Sequence, residues 1–97
     1  MPAALQLVET TEVRRDAARV EVFDEVVRRL EPYRKDGTPI LGATVITKDL
    51  EIDSLAVMDM VMELEDRFEI TLPLNRVAEI HTVDQLTDAV LALRAGN

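Results

Sequence analysis

The feature that most constrains this chain is the spacing of its aliphatic residues. Val13, Ala17, Val20, Phe23, Val27 and Leu30 recur at steps of three and four. So do Val57, Val61, Leu64 and Phe68, and again Val83, Leu86, Val90 and Leu93. Each set is one face of an α-helix. No segment alternates with period two for long enough to make a strand in a sheet. With 97 residues there is room for one domain and one core. Phe23, Tyr33 and Phe68 are the only aromatics, so that core is aliphatic. The expected fold is therefore all-α, a small bundle of three main helices.

Local signals set the boundaries. Thr10 or Thr11 can cap the first helix, and Pro32 stops it near Glu31, because the residue before proline avoids helical geometry. Tyr33 to Asp49 contains Gly37, Pro39 and Gly42 and reads as a long loop between the first and second helices. Its apolar residues Ile40, Leu41, Val45 and Ile46, with Leu50 just after it, are expected to dip into the core. The second helix runs from about Ser54 to Glu69. Leu74 to Glu79 fits a short fourth helix after Pro73. Thr82 with Gln85 three residues on is a capping box that opens the last helix. Gly96 fits just past that helix's end.

Charge excludes several functions. Eleven Lys and Arg against nineteen Asp and Glu give a net charge of −8. Phosphate binding needs the opposite sign, so nucleic acid is not an expected partner. Residues 49–79 hold nine of the acids (Asp49, Glu51, Asp53, Asp59, Glu63, Glu65, Asp66, Glu69 and Glu79) and only two bases, Arg67 and Arg76. Such a one-signed field steers a partner of opposite sign, or simply keeps a solvated face soluble. The chain has no cysteine, hence no disulfide, no thiolate nucleophile and no Cys-bound metal. No apolar run approaches 18 residues, so no membrane span is expected, and Met1 to Leu5 do not read as a secretory signal. A soluble cytoplasmic chain is the expectation.

The second helix carries more apolar surface than one bundle face requires. Leu55, Met58 and Met62 form a second stripe, roughly 130° around the helix from the first at 100° per residue. Asp59, Glu65, Asp66 and Glu69 flank or interrupt it. Methionine adapts to varied surfaces, so a carboxylate-rimmed stripe of this kind suits partner docking. The alternative is that the 33–49 loop folds over it. Ser54, the only serine, sits at the start of this helix, where serine usually serves as a cap. A serine hydrolase would need a base for Ser54, and the one histidine, His81, reads as a partly exposed loop residue before the last helix. Asp49, Glu51 and Asp53 match the start of an EF-hand loop, but position six is Ser54 rather than glycine and position twelve is Met60 rather than glutamate, so no metal site is expected.

A longer pattern surrounds Ser54: Asp49-Leu50-Glu51-Ile52-Asp53-Ser54-Leu55, then Val57, Met62-Glu63-Leu64-Glu65, Phe68-Glu69-Ile70-Thr71-Leu72-Pro73, Ile80 and Thr82-Val83. This resembles the acyl carrier protein family, without a gap from Asp49 to Val83 and more loosely over residues 17–94. The resemblance implies a carrier domain over residues 17–97, preceded by an extension over residues 1–16. It implies that Ser54 carries covalent 4′-phosphopantetheine, transferred from coenzyme A by a phosphopantetheinyl transferase. The protein would then be a carrier and not an enzyme, with an acyl intermediate held as a thioester for fatty-acid, lipid or polyketide synthesis.

It also implies docking through Asp53, Leu55, Met58, Asp59, Met62, Glu65 and Asp66. The partners would be the transferase, an acyl-loading ligase or acyltransferase, and a ketosynthase or other acyl-transfer enzymes with basic surfaces. A monomer is expected. Glu51 stands where the family usually has glycine, and Ala56 where an acid is common. The first helix and the following loop are longer than usual. These departures imply a specialised stand-alone carrier. The Gly-Gly pair typical of peptidyl carriers before the serine is missing, which favours acyl cargo. A stand-alone aminoacyl or peptidyl carrier, or a helical adaptor that has lost the arm, are the alternatives.

Overall fold

The computed structural model describes the backbone of residues 3–95 and the side chains of residues 17–94. Five helices follow in order: α1 (Ala3–Leu30), α2 (Ile46–Asp49), α3 (Ser54–Phe68), α4 (Leu74–Val77) and α5 (Val83–Ala95). A 3-10 turn, Glu31–Tyr33, closes α1 at Pro32 as expected. Among the described residues there is no strand, only an isolated bridge between Val45 and Thr82. The fold is all-helical, with α1, α3 and α5 as its three main members.

Two features of α1 differ from expectation. It begins at Ala3, so Thr10 and Thr11 lie within the helix rather than at its start. Among its described side chains the buried line is Val22, Val26 and Leu30, all fully inaccessible; Ala17 is exposed, and the side chain of Val13 lies outside the described residues. Phe23 and Val27 pack at the edge of the core, while Val20 is 56 % exposed. The inward row lies a fraction of a turn from the expected one, because α1 has apolar residues on two adjoining rows and spacing alone does not say which points inward. At 28 residues α1 outruns the 15-residue α3, and the Cα radius of gyration of 15.3 Å exceeds the value of about 13 Å for a compact chain of 100 residues.

The core is filled from α1, from Met60, Val61, Leu64 and Phe68 of α3, and from Val83, Leu86 and Val90 of α5. Leu93 is half-buried at its edge, and Gly96 lies outside the described residues. Arg29 of α1 pairs with Glu63 of α3, and Arg19 with Asp84 and Asp88 of α5. The Arg94 guanidinium stands 5.0 Å from the Phe68 ring centroid, bringing the far ends of α3 and α5 together. Glu25 is a buried carboxylate at the α1–α3 contact. The hydrogen bond from Arg28, aided by Arg29 and Arg67, holds its pKa below the ordinary carboxylate value although burial opposes this.

The long loop is ordered by backbone hydrogen bonds to the start of α5. Ile46 N–H donates to His81 O (2.9 Å), Val83 N–H to Thr44 O (3.1 Å) and Asp84 N–H to Gly42 O (2.9 Å). A Cβ on Gly42 would come within 2.4 Å of the Asp84 carboxylate, so a larger residue there would have to turn that side chain aside. Ile40, Ile46 and Leu50 reach the core as expected; Val45 is half-buried, and Leu41 is 58 % exposed. The loop also contains α2, a single helical turn that too few residues announce for periodicity to detect. At the start of α5 the capping box is formed: Gln85 N–H donates to Thr82 Oγ1 (3.1 Å) and Thr82 N–H to Gln85 Oε1 (3.0 Å).

Candidate functional site

Ser54 is the first residue of α3 and is exposed. The capping position belongs to Asp53, whose Oδ1 accepts from Ala56 N–H at 2.8 Å. Asp53 has extended backbone geometry, which suits a cap. Serine at this helix start is therefore not the cap. Among the described residues its hydroxyl has no protein hydrogen-bond partner, and it stands beside the unpaired N–H groups and positive dipole end of a 15-residue helix. That environment suits a phosphodiester oxygen.

The turn before Ser54 is held by backbone and side-chain bonds. Glu51 N–H donates to Tyr33 O (2.8 Å), tying it to the end of α1. Asp49 is not a free acid: its carboxylate accepts from Val45 N–H (2.8 Å) at the start of α2. Glu69 is the only non-glycine residue with positive φ among the described ones, so the backbone at Glu51 does not call for the glycine usual there.

The second stripe of α3 lies open. Leu55 is 72 % exposed and Met62 59 % exposed, with Asp59 and Asp66 exposed beside them. Met58 is half-buried at the margin. The loop does not cover this stripe, because its hydrogen bonds commit it to the start of α5. Glu65 has a different position from the other acids. It is half-buried, and its Oε2 accepts from Leu72 N–H at 2.8 Å, fastening the link between α3 and α4. Sequence spacing did not reveal this clamp. A Glu seven residues before a buried leucine in an Ile-x-Leu-Pro run was the available sign.

Between α3, the loop and the start of α5 is an apolar cleft of about 30 Å³, walled by Val57, Met60, Val61 and Leu86 among others. Thr47 and His81 are its two polar lining residues, and both are exposed. His81 was expected in an exposed loop and is there; its place on the cleft rim depends on the loop docking against α5 and was not legible from spacing.

Comparison with known proteins agrees with this geometry. The family model described as the phosphopantetheine attachment site matches residues 37–90, a span that includes Ser54. A probable acyl carrier protein of Caulobacter vibrioides is 42 % identical over 64 residues, 59 % of this chain and 74 % of that protein. A mitochondrial acyl carrier protein of Neurospora crassa is 31 % identical over 74 residues, 74 % of this chain and 55 % of that protein. An acyl carrier protein of an Exiguobacterium species is 39 % identical over 64 residues, 66 % of this chain and 77 % of that protein. The fold and the matched region thus define a phosphopantetheine-binding helical domain. The chain belongs to the acyl carrier protein family. Covalent 4′-phosphopantetheine is the prosthetic group that this membership implies. Members of the family carry intermediates rather than catalyse, and their partners are a phosphopantetheinyl transferase and acyl-handling enzymes. No described helix is long and apolar enough to cross a membrane.

Proposed function

We propose that this chain is an acyl carrier with Ser54 as its attachment residue. The observation that carries the reading is the state of Ser54. It is the sole serine, exposed at the start of α3, with its capping duty taken by Asp53. A transferase would form a phosphodiester on Ser54 Oγ while the pyrophosphate bond of coenzyme A breaks, with adenosine 3′,5′-bisphosphate as the leaving group and the hydroxyl proton passing to a base of the transferase or to water. The attached arm supplies a terminal thiol for thioester linkage, which a cysteine-free chain lacks. Residues 17–97 serve as the carrier domain and residues 1–16 as an N-terminal extension.

The docking surface in this reading is the outer side of α3, with Asp53, Leu55, Met58, Asp59, Met62, Glu65 and Asp66. Leu55 and Met62 supply apolar contact, and Asp53, Asp59 and Asp66 attract a basic partner surface. Glu65 contributes mainly by holding α4 in place. The protein works as a monomer in the cytoplasm, loaded by a ligase or acyltransferase and delivering to a ketosynthase or similar enzyme of fatty-acid, lipid or polyketide synthesis.

Intact-mass measurement after incubation with a phosphopantetheinyl transferase, coenzyme A and Mg²⁺ tests this. One arm is expected on the wild type and none on Ser54→Ala. No gain on the wild type with several transferases, or an equal gain on the variant, overturns the assignment in favour of an armless adaptor or another residue.

A further inference from the structure

Lys35 and Lys48 are the only lysines of the chain; the rest of its eleven Lys and Arg are arginine. The fold brings the two together across 13 residues, with Lys35 Nζ donating to the C=O of Lys48 at 3.3 Å. Both side chains are exposed. Among the described residues neither is ion-paired, whereas Arg19, Arg28, Arg29, Arg34 and Arg94 each hold a carboxylate. Lys48 lies in α2, whose start is held by the bond from Val45 N–H to the Asp49 carboxylate. Glu51 N–H is tied to Tyr33 O, which fixes the chain leading into Lys35 against the chain leading into Ser54. Lys48 precedes Ser54 by six residues, so their Cα atoms are at most about 20 Å apart. The two primary side-chain amines of this protein therefore sit as one pair within that distance of the attachment residue.

We infer that Lys35 and Lys48 are an acyl-acceptor site, at which the acyl group of the arm's thioester is captured as an amide within the same molecule. The inference rests on Ser54 being the attachment residue. An arm from Ser54 has a backbone of roughly five extended residues, and a lysine adds its own methylene stem, so the two groups can meet. Tethering holds the thioester at high effective concentration around the pair. A lysine amine in its neutral form is a nucleophile, whereas an arginine guanidinium stays protonated and does not attack. The lysine nitrogen attacks the thioester carbonyl carbon, and the C–S bond breaks. The sulfur leaves as a thiolate and takes up the proton that the nitrogen gives up. An amide on lysine and a free thiol result, with no further reactant. Each transfer removes one positive charge from a chain that already carries −8 and clears the arm for another load.

The test uses the full chain, modified by a phosphopantetheinyl transferase with acetyl-coenzyme A, then freed of reagents and incubated. Hydroxylamine cleaves thioesters and spares amides. After hydroxylamine treatment, intact mass should show an acetyl group retained on a fraction of the wild type that grows with incubation time. Peptide mapping should place it on Lys35 or Lys48. The fractional rate should not change on dilution, since the transfer is within one molecule. Lys35→Arg with Lys48→Arg keeps both charges and should lose the retained acetyl mass while accepting the arm as the wild type does. Retention in that double variant, an acetyl group mapped to the chain's terminal amine, or a rate that falls with dilution overturns the inference. So does a wild type from which hydroxylamine removes all of the acetyl mass, and that result leaves the carrier reading intact. Absence of any arm on the wild type overturns both.

Discussion

Met60 and Met62 stand two residues apart on α3 and meet opposite fates. Met60 is 3 % exposed and lies against α5 and the cleft, whereas Met62 is 59 % exposed on the outer face. The two sides of this helix are similarly aliphatic, yet only one is used by the fold. The inner side is satisfied by α1, α5 and the apolar residues of the loop. Among the described residues the outer side is left largely open, and the loop that could have covered it is hydrogen-bonded to residues 81–84 instead. Apolar composition therefore does not distinguish a core face from a free face; what distinguishes them is where the connecting backbone finds its hydrogen-bond partners.

The sharpest way to break this comparison is truncation on the inner side. Leu64→Ala should cost about 2–5 kcal/mol of folding stability, because Leu64 is fully buried and a cavity would remain. Denaturant unfolding measures it. A loss under 1 kcal/mol would mean that α3 presents a different side to the core.

An intermediate effect is expected at the margin between the two sides. Glu65→Ala removes the acceptor from the N–H of buried Leu72 and should cost about 1–3 kcal/mol, the penalty for an unsatisfied buried donor. Amide hydrogen exchange at Leu72 should quicken in the same variant. Unchanged exchange there would free Glu65 from its clamp and return it to the docking surface as an ordinary exposed acid.

The smallest effect on stability belongs to the outer side, and there the readout is binding. Asp59→Lys with Asp66→Lys should leave unfolding within about 0.5 kcal/mol of the wild type, as exposed substitutions do. The pair should slow transferase modification of Ser54, and the slowing should fade as salt is raised. Met62→Ala should weaken transferase affinity with equally little effect on stability. A large fall in its thermal midpoint would show that the outer stripe is covered after all.

Much of this protein was legible in its residues. The three main helices, the stop at Pro32, the Thr82–Gln85 capping box and the second stripe on α3 all follow from local chemistry: periodicity, proline geometry and side chains that bond to nearby backbone. The pattern around Ser54 was readable for the same reason, since Asp49 to Val83 is one continuous stretch. The buried row of α1 was misassigned because two adjoining rows are apolar, and only the neighbours facing them make the choice. The start of α1 at Ala3 was missed because Thr10 and Thr11 offered a cap where the backbone simply continues.

Sequence alone determined a helical chain with an acidic middle and a single serine at the head of an amphipathic helix. Tertiary structure decided which acids are free. Asp49 and Glu65 are engaged with backbone N–H groups, while Asp53 spends its carboxylate on the cap and so leaves Ser54 unbonded. Tertiary structure also brought His81 and Thr47 to one cleft rim across 34 residues of chain. The physical reason is the same in each case. A side chain's hydrogen-bond partner or neighbour depends on where distant backbone docks, and that docking is settled by the packing of the whole core.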